Sequence, residues 1–499
     1  MSEKLDALLS ELREREALAE EGGGRARLER QKRLGRLGAR ERIRALVDEG
    51  SFTELGKFVL HRHAAASDQL AANLHPGDGL VCGLGAVAGR TIAVYAHDPT
   101  VLRGALGRAA AGKLCRLLDL AGERGLPVVA LADCDGVRVE EDTDAIDAYG
   151  EVIRRTVRLK GKVPQLTLVC GLCVGAAAYT AALTDLVGMV SAQSYLFITG
   201  PKVTKVVTGE DVSLDDLGGP MMHARKTGAC HAVLEDERQG IAWLRRVLEA
   251  LEPRKPALDA AERDLPALAE LVPLEPRRAY DMRKVLAEVL DGESLVELSA
   301  LFAGNLLTAL GRLAGRAVAV VASQPIVLAG CLDADASRKG AAFVAFAAAR
   351  SLPILTLVDV PGYLPGRKQE EGGILPHGAT LLTAYGNAQG KVPLVCLIVR
   401  KSFGGASVLS FAADLRLALP TARVGPMGAD ASLEVVLGPE QPGATEEERA
   451  ARAARKQAWL AGHDHAWAAA EAGYIDRVIE PAQVRRALCT ALDRLCGDA

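Results

Sequence analysis

An excess of charge of one sign is the first thing this sequence lacks. Across 499 residues, 60 Lys and Arg nearly cancel 63 Asp and Glu. With no net basicity, and no Lys/Arg-rich block beside an aromatic stripe, composition argues against nucleic acid as a partner. Long apolar runs are also missing. None reaches the roughly 18 residues that a membrane helix needs, so no membrane is expected either. The opening stretch MSEKLDALLSELRERE is charged and helical, without an apolar signal core, which points to the cytoplasm. The ten cysteines are scattered through apolar segments and read as buried free thiols. Cys170 and Cys173 form one CxxC, with no second pair at zinc-ribbon spacing. One pair cannot fill a tetrahedral site, so no structural zinc is expected. The nine histidines form no HxxxH or HExxH pair, and no metal site is expected. No GxSxG or Ser-His-Asp pattern offers a nucleophile.

What is present is ordinary globular composition, 49% hydrophobic and 25% charged, in a chain too long for one core. Residues 1–48 read as a charged, amphipathic N-terminal helical arm. Residues 253–278, rich in Pro, Glu and Arg, read as a linker. Between and beyond them lie two halves, 49–252 and 279–499, and these halves repeat one another. GLGAVAGRTIAV (Gly83 to Val94) matches ALGRLAGRAVAV (Ala309 to Val320). GLPVVALADCDG (Gly125 to Gly136) matches SLPILTLVDVPG (Ser351 to Gly362). GKVPQLTLVCGLCVGAA (Gly161 to Ala177) matches GKVPLVCLIVRKSFGGA (Gly390 to Ala406). The first two pairs share an offset of about 226 residues, as do Lys113 and Lys339; the third is offset by about 229. A period of this size means duplicated domains, since solenoid units are much shorter.

Each half reads as an apolar hairpin, a helix, a continuous buried strand (Val128 to Ala132; Ile354 to Val358) ending in Asp-x-x-Gly, another helix, and a second buried strand (Gln165 to Cys170; Leu394 to Val399). Continuous apolar strands between helices predict an α/β fold whose sheets are covered by helices, with the chemistry at the carboxyl ends of the strands. The strand-to-helix junction occurs twice, at Gly171 to Ala177 and at Lys401 to Ala406. Small residues there let a ligand approach the backbone. The first amides of the following helix have no intrahelical partner, and two of them can hold a negative oxygen. Close packing of helix on sheet also calls for small residues, and the two junctions standing in register weigh against that as the whole reason.

Three other patterns compete. ALADCDGVRVE (Ala130 to Glu140) imitates the Asp-x-Asp-Gly of haloacid-dehalogenase phosphatases, but its mirror at Asp359 to Gly362 lacks the second Asp. Gly107 to Leu114 imitates a P-loop but ends in Leu, without the magnesium-binding hydroxyl. The acidic run Glu140 to Asp147 reads as a solvated face before it reads as a metal site.

Nearly the whole chain after about residue 35 resembles the carboxyltransferase β subunits of propionyl-CoA and acetyl-CoA carboxylases, of the crotonase superfamily. The similarity rests on Tyr195 to Gly219, Gly330 to Phe346, Leu357 to Tyr385, Arg400 to Ala406 and Gly473 to Pro481. It implies two duplicated crotonase-like (ClpP/crotonase) domains. It also implies a mechanism without a protein nucleophile. Carboxybiotin arrives on a separate biotin carboxyl carrier protein and releases carbon dioxide. The freed biotin nitrogen takes the α-proton of an acyl thioester, and the enolate attacks the carbon dioxide. By family correspondence the thioester oxyanion hole falls on the amides of Gly175 and Ala176, in the N-half. The biotin hole falls on Gly405 and Ala406, with Gly404 beside them, in the C-half. A homo-hexamer is implied, with each site between the N-half of one subunit and the C-half of another. The chain has no Met-Lys-Met biotinylation motif and no ATP-binding region, so biotin carboxylase and carrier subunits are implied as partners. His377 matches a family position, and a structural role there is as consistent as a catalytic one.

Departures from the family pattern cluster on the thioester side. Arg103, Gly104 and Ala105 stand where the family has Gly-Gly-Ser. Asp133 to Arg138, which includes Asp135, Gly136 and Val137, replaces Asp-Ser-Gly-Gly-Ala-Arg. Leu172 to Ala176 replaces Pro-Cys-Ala-Gly-Gly. Val408 takes the place of the Asp of propionyl-type enzymes. Arg103, Gly104, Asp135, Gly136 and Val408 are therefore the expected substrate-binding residues. An unusual acyl acceptor, larger or carrier-bound, is expected. The same two holes serve the reverse, decarboxylating transfer. A diverged assembly subunit that has lost thioester binding is the non-enzymatic alternative.

Overall fold

The computed structural model describes residues 3–61, 74–252, 263–275, 277–439, 443 and 445–496. The chain separates into two compact units, Met1–Glu249 and Ala250–Ala499.

The first unit opens with three helices, α1 (Glu3–Glu20), α2 (Arg25–Arg33) and α3 (Ala39–Leu46). They differ in character. Along α1 only Ala19 is buried, while α3 buries Arg40, Arg42, Ile43 and Leu46. The end of the segment expected as an arm is thus part of the core. The strands that follow are β1 (Thr53–Glu54), β2 (Leu80–Val87), β3 (Arg90–His97), β4 (Val128–Cys134), β5 (Gln165–Val174), β6 (Leu186–Val190), β7 (Tyr195–Phe197) and β8 (Ala232–Leu234). They form one sheet in the order β1-β2-β3-β4-β5-β6-β8, with β7 paired to β5. β2 and β3 make the antiparallel hairpin, and β3 through β6 run parallel. All seven residues of β4 are buried, as a strand covered on both faces requires.

The second unit repeats this plan. Its strands are β9 (Val296–Leu298), β10 (Leu306–Leu313), β11 (Arg316–Ser323), β12 (Ile354–Val360), β13 (Leu394–Phe403), β14 (Leu415–Ala418), β15 (Arg423–Gly425) and β16 (Arg477–Val478). The sheet order is β16-β14-β13-β12-β11-β10-β9, with β15 paired to β13. Much of the expected linker, 253–262 and 276, lies outside the described residues. Of the remainder, Leu265, Leu268 and Val272 are buried in the second unit's core.

β5 and β13 are longer than the sequence suggests, and the extension is what builds the junctions. The first part of β5 pairs with β6 through Leu166 to Val169; its last part pairs with β7 through Leu172 to Val174. β13 divides its partners between β14 and β15 in the same way. Each long strand shifts register against its other neighbour just before the split. The apolar run is interrupted at Gly171 in β5 and at Arg400 to Ser402 in β13, so the second parts do not read as a continuation of the strand.

Candidate active site

At the end of each long strand the chain turns on a glycine in the left-handed region. Gly175 and Gly404 both have φ of 59°, a value that favours glycine over any residue with a Cβ. The matching angle sets the register of the repeat: Gly175 mirrors Gly404, and Ala176 and Ala177 mirror Gly405 and Ala406. A helix follows at once in the first unit, Ala176–Leu183. In the second unit a 3-10 turn, Gly404–Ser407, leads into the short helix Val408–Phe411.

Packing does not account for Gly175 or Gly405, although a Cβ on Gly404 would stand 3.0 Å from the Pro426 carbonyl. A Cβ added to Gly175 meets nothing nearer than the Ile198 carbonyl at 3.8 Å. One added to Gly405 meets only the Tyr363 ring, at 3.6 Å. Ordinary contacts of this kind leave room for a ligand against the backbone, a planar ring included. The tightly packed glycines are one shell further back. A Cβ on Gly104 would stand 2.3 Å from the Asp133 carbonyl, and one on Gly330 2.5 Å from the Asp359 carbonyl. These are mirrored contacts, and they hold the loops after β3 and β11 against the ends of β4 and β12.

The amides divide differently from the sequence expectation. The Gly175 N–H donates to the Phe197 carbonyl at 3.1 Å. Among the described residues no protein acceptor takes the amides of Ala176 and Ala177, nor those of Gly405 and Ala406. The first pair of available amides is therefore Ala176 and Ala177, one residue on from Gly175 and Ala176. The second pair is Gly405 and Ala406, as expected. Val408, expected on the substrate side, is buried, at 1% exposure.

The expected substrate residues of the first unit come together. Leu102 and Arg103 both hold positive φ, 47° and 54°, as do their mirrors Leu328 and Ala329, at 50° and 52°. Backbone strain of this kind gathers at functional loops. The Arg103 carbonyl accepts from the Asp135 amide at 3.2 Å, and Arg103 Nε donates to Asp135 Oδ2 at 2.5 Å. A Cβ on Gly136 would lie 2.9 Å from the Val174 carbonyl, so this loop abuts the Gly175 turn.

The competing patterns dissolve in the geometry. Asp133 is buried and paired with Arg42 at 3.0 Å, while Asp135 faces Arg103; the two carboxylates of Asp-x-Asp serve different partners. Lys113 lies inside the helix Arg108–Arg124, and its Nζ donates to the carbonyls of Gly77 and Leu80 at 2.9 and 2.5 Å. Within the acidic run, Glu141 is buried against Arg138 at 2.8 Å and accepts from the Arg108 amide. Cys170 and Cys173 are buried free thiols, pushed upward in pKa by burial. His377 is half-buried in the first turn of the helix Ile374–Ala388, close to Gly373.

The sequence reading missed the buried cation network altogether. Arg42 donates to both oxygens of Glu237, at 2.8 and 2.9 Å, as well as to Asp133. Its partners lie 91 and 195 residues away in the chain, and no local pattern announces such contacts.

Comparison with known proteins agrees with this architecture. The carboxyl transferase domain family matches residues 30–496. The propionyl-CoA carboxylase beta chain of Roseobacter denitrificans is 41% identical over 98% of this chain and 96% of its own length. The mitochondrial propionyl-CoA carboxylase beta chain of Homo sapiens is 39% identical over 95% of this chain and 88% of its own. Among solved structures, the transcarboxylase 12S hexamer with hydrolysed methylmalonyl-coenzyme A superimposes with a TM-score of 0.93 at 35% identity. It covers 99% of this chain and 96% of that one. A duplicated α/β chain with two mirrored amide turns, matched over nearly its whole length, belongs to the carboxyl transferase family and is an acyl-CoA carboxyltransferase.

Proposed function

We propose that this protein moves a carboxyl group between carboxybiotin and the α-carbon of a short acyl-CoA of the propionyl/methylmalonyl type. The observation that carries this reading is the pair of mirrored turns at Gly175 and Gly404. Each has a glycine that packing does not demand, Gly175 in the first and Gly405 in the second, and each is followed by two amides without a protein acceptor among the described residues. In the first unit, Ala176 and Ala177 hold the thioester oxygen as the α-carbon gains enolate character. Two fixed N–H dipoles in a partly dry site stabilise that charge without reorganising. In the second unit, Gly405 and Ala406 hold the ureido oxygen of biotin. Biotin, carried on a separate carrier protein and charged by a biotin carboxylase subunit, supplies the carboxyl group. Gly136 brings the loop after β4 up to the first turn, Gly104 packs the loop after β3 on the end of β4, and Arg103 and Asp135 join the two loops.

The working assembly is a homo-hexamer in which the first unit of one copy faces the second unit of another. Exposed apolar residues support this. On the helix Pro201–Thr208, Val206 and Val207 are 85% and 74% exposed; on the matching helix Ala429–Leu437, Val435 and Val436 are 73% and 60% exposed. Paired valines left in water on mirrored helices fit faces that a second copy covers. Ten free thiols fit a reducing compartment, the cytoplasm. The CoA form of the thioester, rather than a carrier-bound one, is favoured by the CoA-using relatives.

The test is ATP-dependent fixation of labelled bicarbonate into propionyl-CoA, acetyl-CoA and longer acyl-CoAs, with a matched biotin carboxylase and biotinylated carrier. Label in propionyl-CoA above all others is expected. No label in any thioester from an intact hexamer would refute the reading.

A further inference from the structure

The two residues that depart most from the family pattern on the thioester side are bonded to each other. Arg103 Nε meets Asp135 Oδ2 at 2.5 Å, and the Asp135 amide donates to the Arg103 carbonyl. One of the two loops they join abuts the Gly175 turn, and the other packs on the end of β4 beside it. Asp135 precedes Gly136, which packs on the Val174 carbonyl, and Arg103 precedes Gly104, which packs on the Asp133 carbonyl. The mirrored positions of the second unit, Ala329 and Pro361, carry no charge. The ionic pair is therefore particular to the first turn.

A carboxylate next to this turn presents a physical problem. The amides of Ala176 and Ala177 are placed to hold an oxygen that becomes negative, and a fixed negative charge nearby opposes that. Asp135 is only partly exposed, its side chain at 26%, so water screens it incompletely. Arg103 is the cation that reaches it. Its side chain is 66% exposed, so the pair adds little to folding stability.

We propose that Arg103 is a positioning residue for carboxyl transfer: it neutralises and holds Asp135, and thereby keeps the first amide turn able to stabilise a negative oxygen. This rests on the carboxyltransferase reading above. The proposal makes the two members of the pair unequal. An uncompensated Asp135 opposes the reaction, whereas an uncompensated Arg103 does not. A pair that merely braced the loops would be equally sensitive to loss of either member.

The experiment uses the full-length assembled protein and the transfer from methylmalonyl-CoA to free biotin. In that reaction the bond between the α-carbon and its carboxylate breaks, the carboxylate joins the biotin nitrogen, and the proton of that nitrogen ends on the α-carbon as propionyl-CoA. Arg103→Gln should lower kcat at least about tenfold while KM moves less than about threefold, because the repulsion acts on developing charge. Asp135→Asn should be clearly less damaging than Arg103→Gln, and in the double variant it should restore most of the kcat that Arg103→Gln loses. Arg103→Lys should retain most of the activity, as a cation of similar reach. Melting temperatures of all four should stay within about 2 °C, since the Arg103 side chain is 66% exposed. An Arg103→Gln variant as active as the parent would overturn the proposal. So would an Asp135→Asn variant as damaged as Arg103→Gln with no recovery in the double. If the unaltered hexamer itself moves no carboxyl group, the carboxyltransferase reading fails, and the proposal with it.

Discussion

Asp359 and Arg400 close a buried ion pair at 3.0 Å in the second unit, and the first unit solves the same problem from the opposite direction. Asp133, the mirror of Asp359, is bridged by Arg42 from α3. The strand position that mirrors Arg400 is Gly171, where a Cβ would stand 2.1 Å from Asp133 Oδ1. Each strand-end aspartate thus has an arginine, supplied by β13 in one unit and by the N-terminal segment in the other. Arg400 also donates to the carbonyls of Glu275 and Arg278, at 3.1 and 2.8 Å, tying the segment before the second unit's first strand to the strand end. Removing one member of a buried pair leaves an uncompensated charge and costs about 3–5 kcal/mol. Arg400→Met should therefore lower the unfolding midpoint of the second unit by several degrees in calorimetry and leave the first unit's transition in place. A shared loss in both transitions would show that the two units do not melt independently.

The mirrored lysines make a second, matched experiment. Lys339 Nζ donates to the carbonyls of Ser299, Phe302 and Leu306 at 2.8, 2.8 and 2.7 Å. Lys113 makes the equivalent set in the first unit, with Gly77 and Leu80 the nearest acceptors. Both tie the chain before the hairpin to the helix after it. Burial pushes the Lys339 pKa down to about 7, opposed by the charge of Glu297, while the Nζ protons go to the ring of carbonyls. Methionine would fill the space but satisfy none of these acceptors. Lys339→Met should cost roughly 3 kcal/mol, and Lys113→Met a similar amount, in denaturant titrations. A loss below about 1 kcal/mol would mean that water replaces the ammonium.

Much of this was legible in the chain itself, for a physical reason. β4 and β12 are buried on both faces, so their apolar runs need no periodicity to be recognised, and the repeat of those runs fixed the two-unit plan. The turns at Gly175 and Gly404 were visible because small residues leave a plain trace in a sequence. Which amides stayed available was not. The Gly175 amide is taken by Phe197 across a strand pairing that exists only because β5 divides its second part from its first. The burial of Val408 was not legible for a similar reason: the direction of a side chain in a short turn depends on tertiary packing. The Arg103–Asp135 pair showed as two separate oddities 32 residues apart, and only the fold makes them one feature.

His97 supplies a pH dependence. It is buried, with its ring edge-on to Tyr95 at 5.7 Å. Burial, helped by the charge of Arg42 and weakly opposed by the Leu131 carbonyl, pushes its pKa from 6.5 down to about 4. In the unfolded chain the imidazole takes up its proton below pH 6.5; in the folded protein it stays neutral until about pH 4. The unfolded state therefore binds more protons throughout that window, and stability falls as pH falls through it. Between pH 7 and pH 5 the loss from this one group is about 2 kcal/mol. His97→Leu should remove that part of the acid limb, so between pH 7 and pH 5 the variant should lose about 2 kcal/mol less stability than its parent. Parallel stability curves for the two would assign the acid sensitivity elsewhere.

The sharpest test of the first turn removes an N–H and little else. Ala176 is the first residue of its helix, with Gly175 as the cap before it. Proline is well tolerated at that position, because the N–H it lacks has no intrahelical partner. Ala176→Pro should therefore fold and assemble normally, with a melting temperature close to the parent's. Losing one donor aimed at a developing oxyanion typically costs 10²–10³ in kcat. A fall of that size in propionyl-CoA formation from methylmalonyl-CoA is expected, with KM little changed, because the bond gains its strength as charge develops. Gly405→Pro on the other turn should instead impair the acceptance of free biotin, seen as a raised KM for biotin. If Ala176→Pro turned over at the parent rate, the thioester oxygen would have to be held elsewhere, and the Gly175 amide would need to leave Phe197 to hold it.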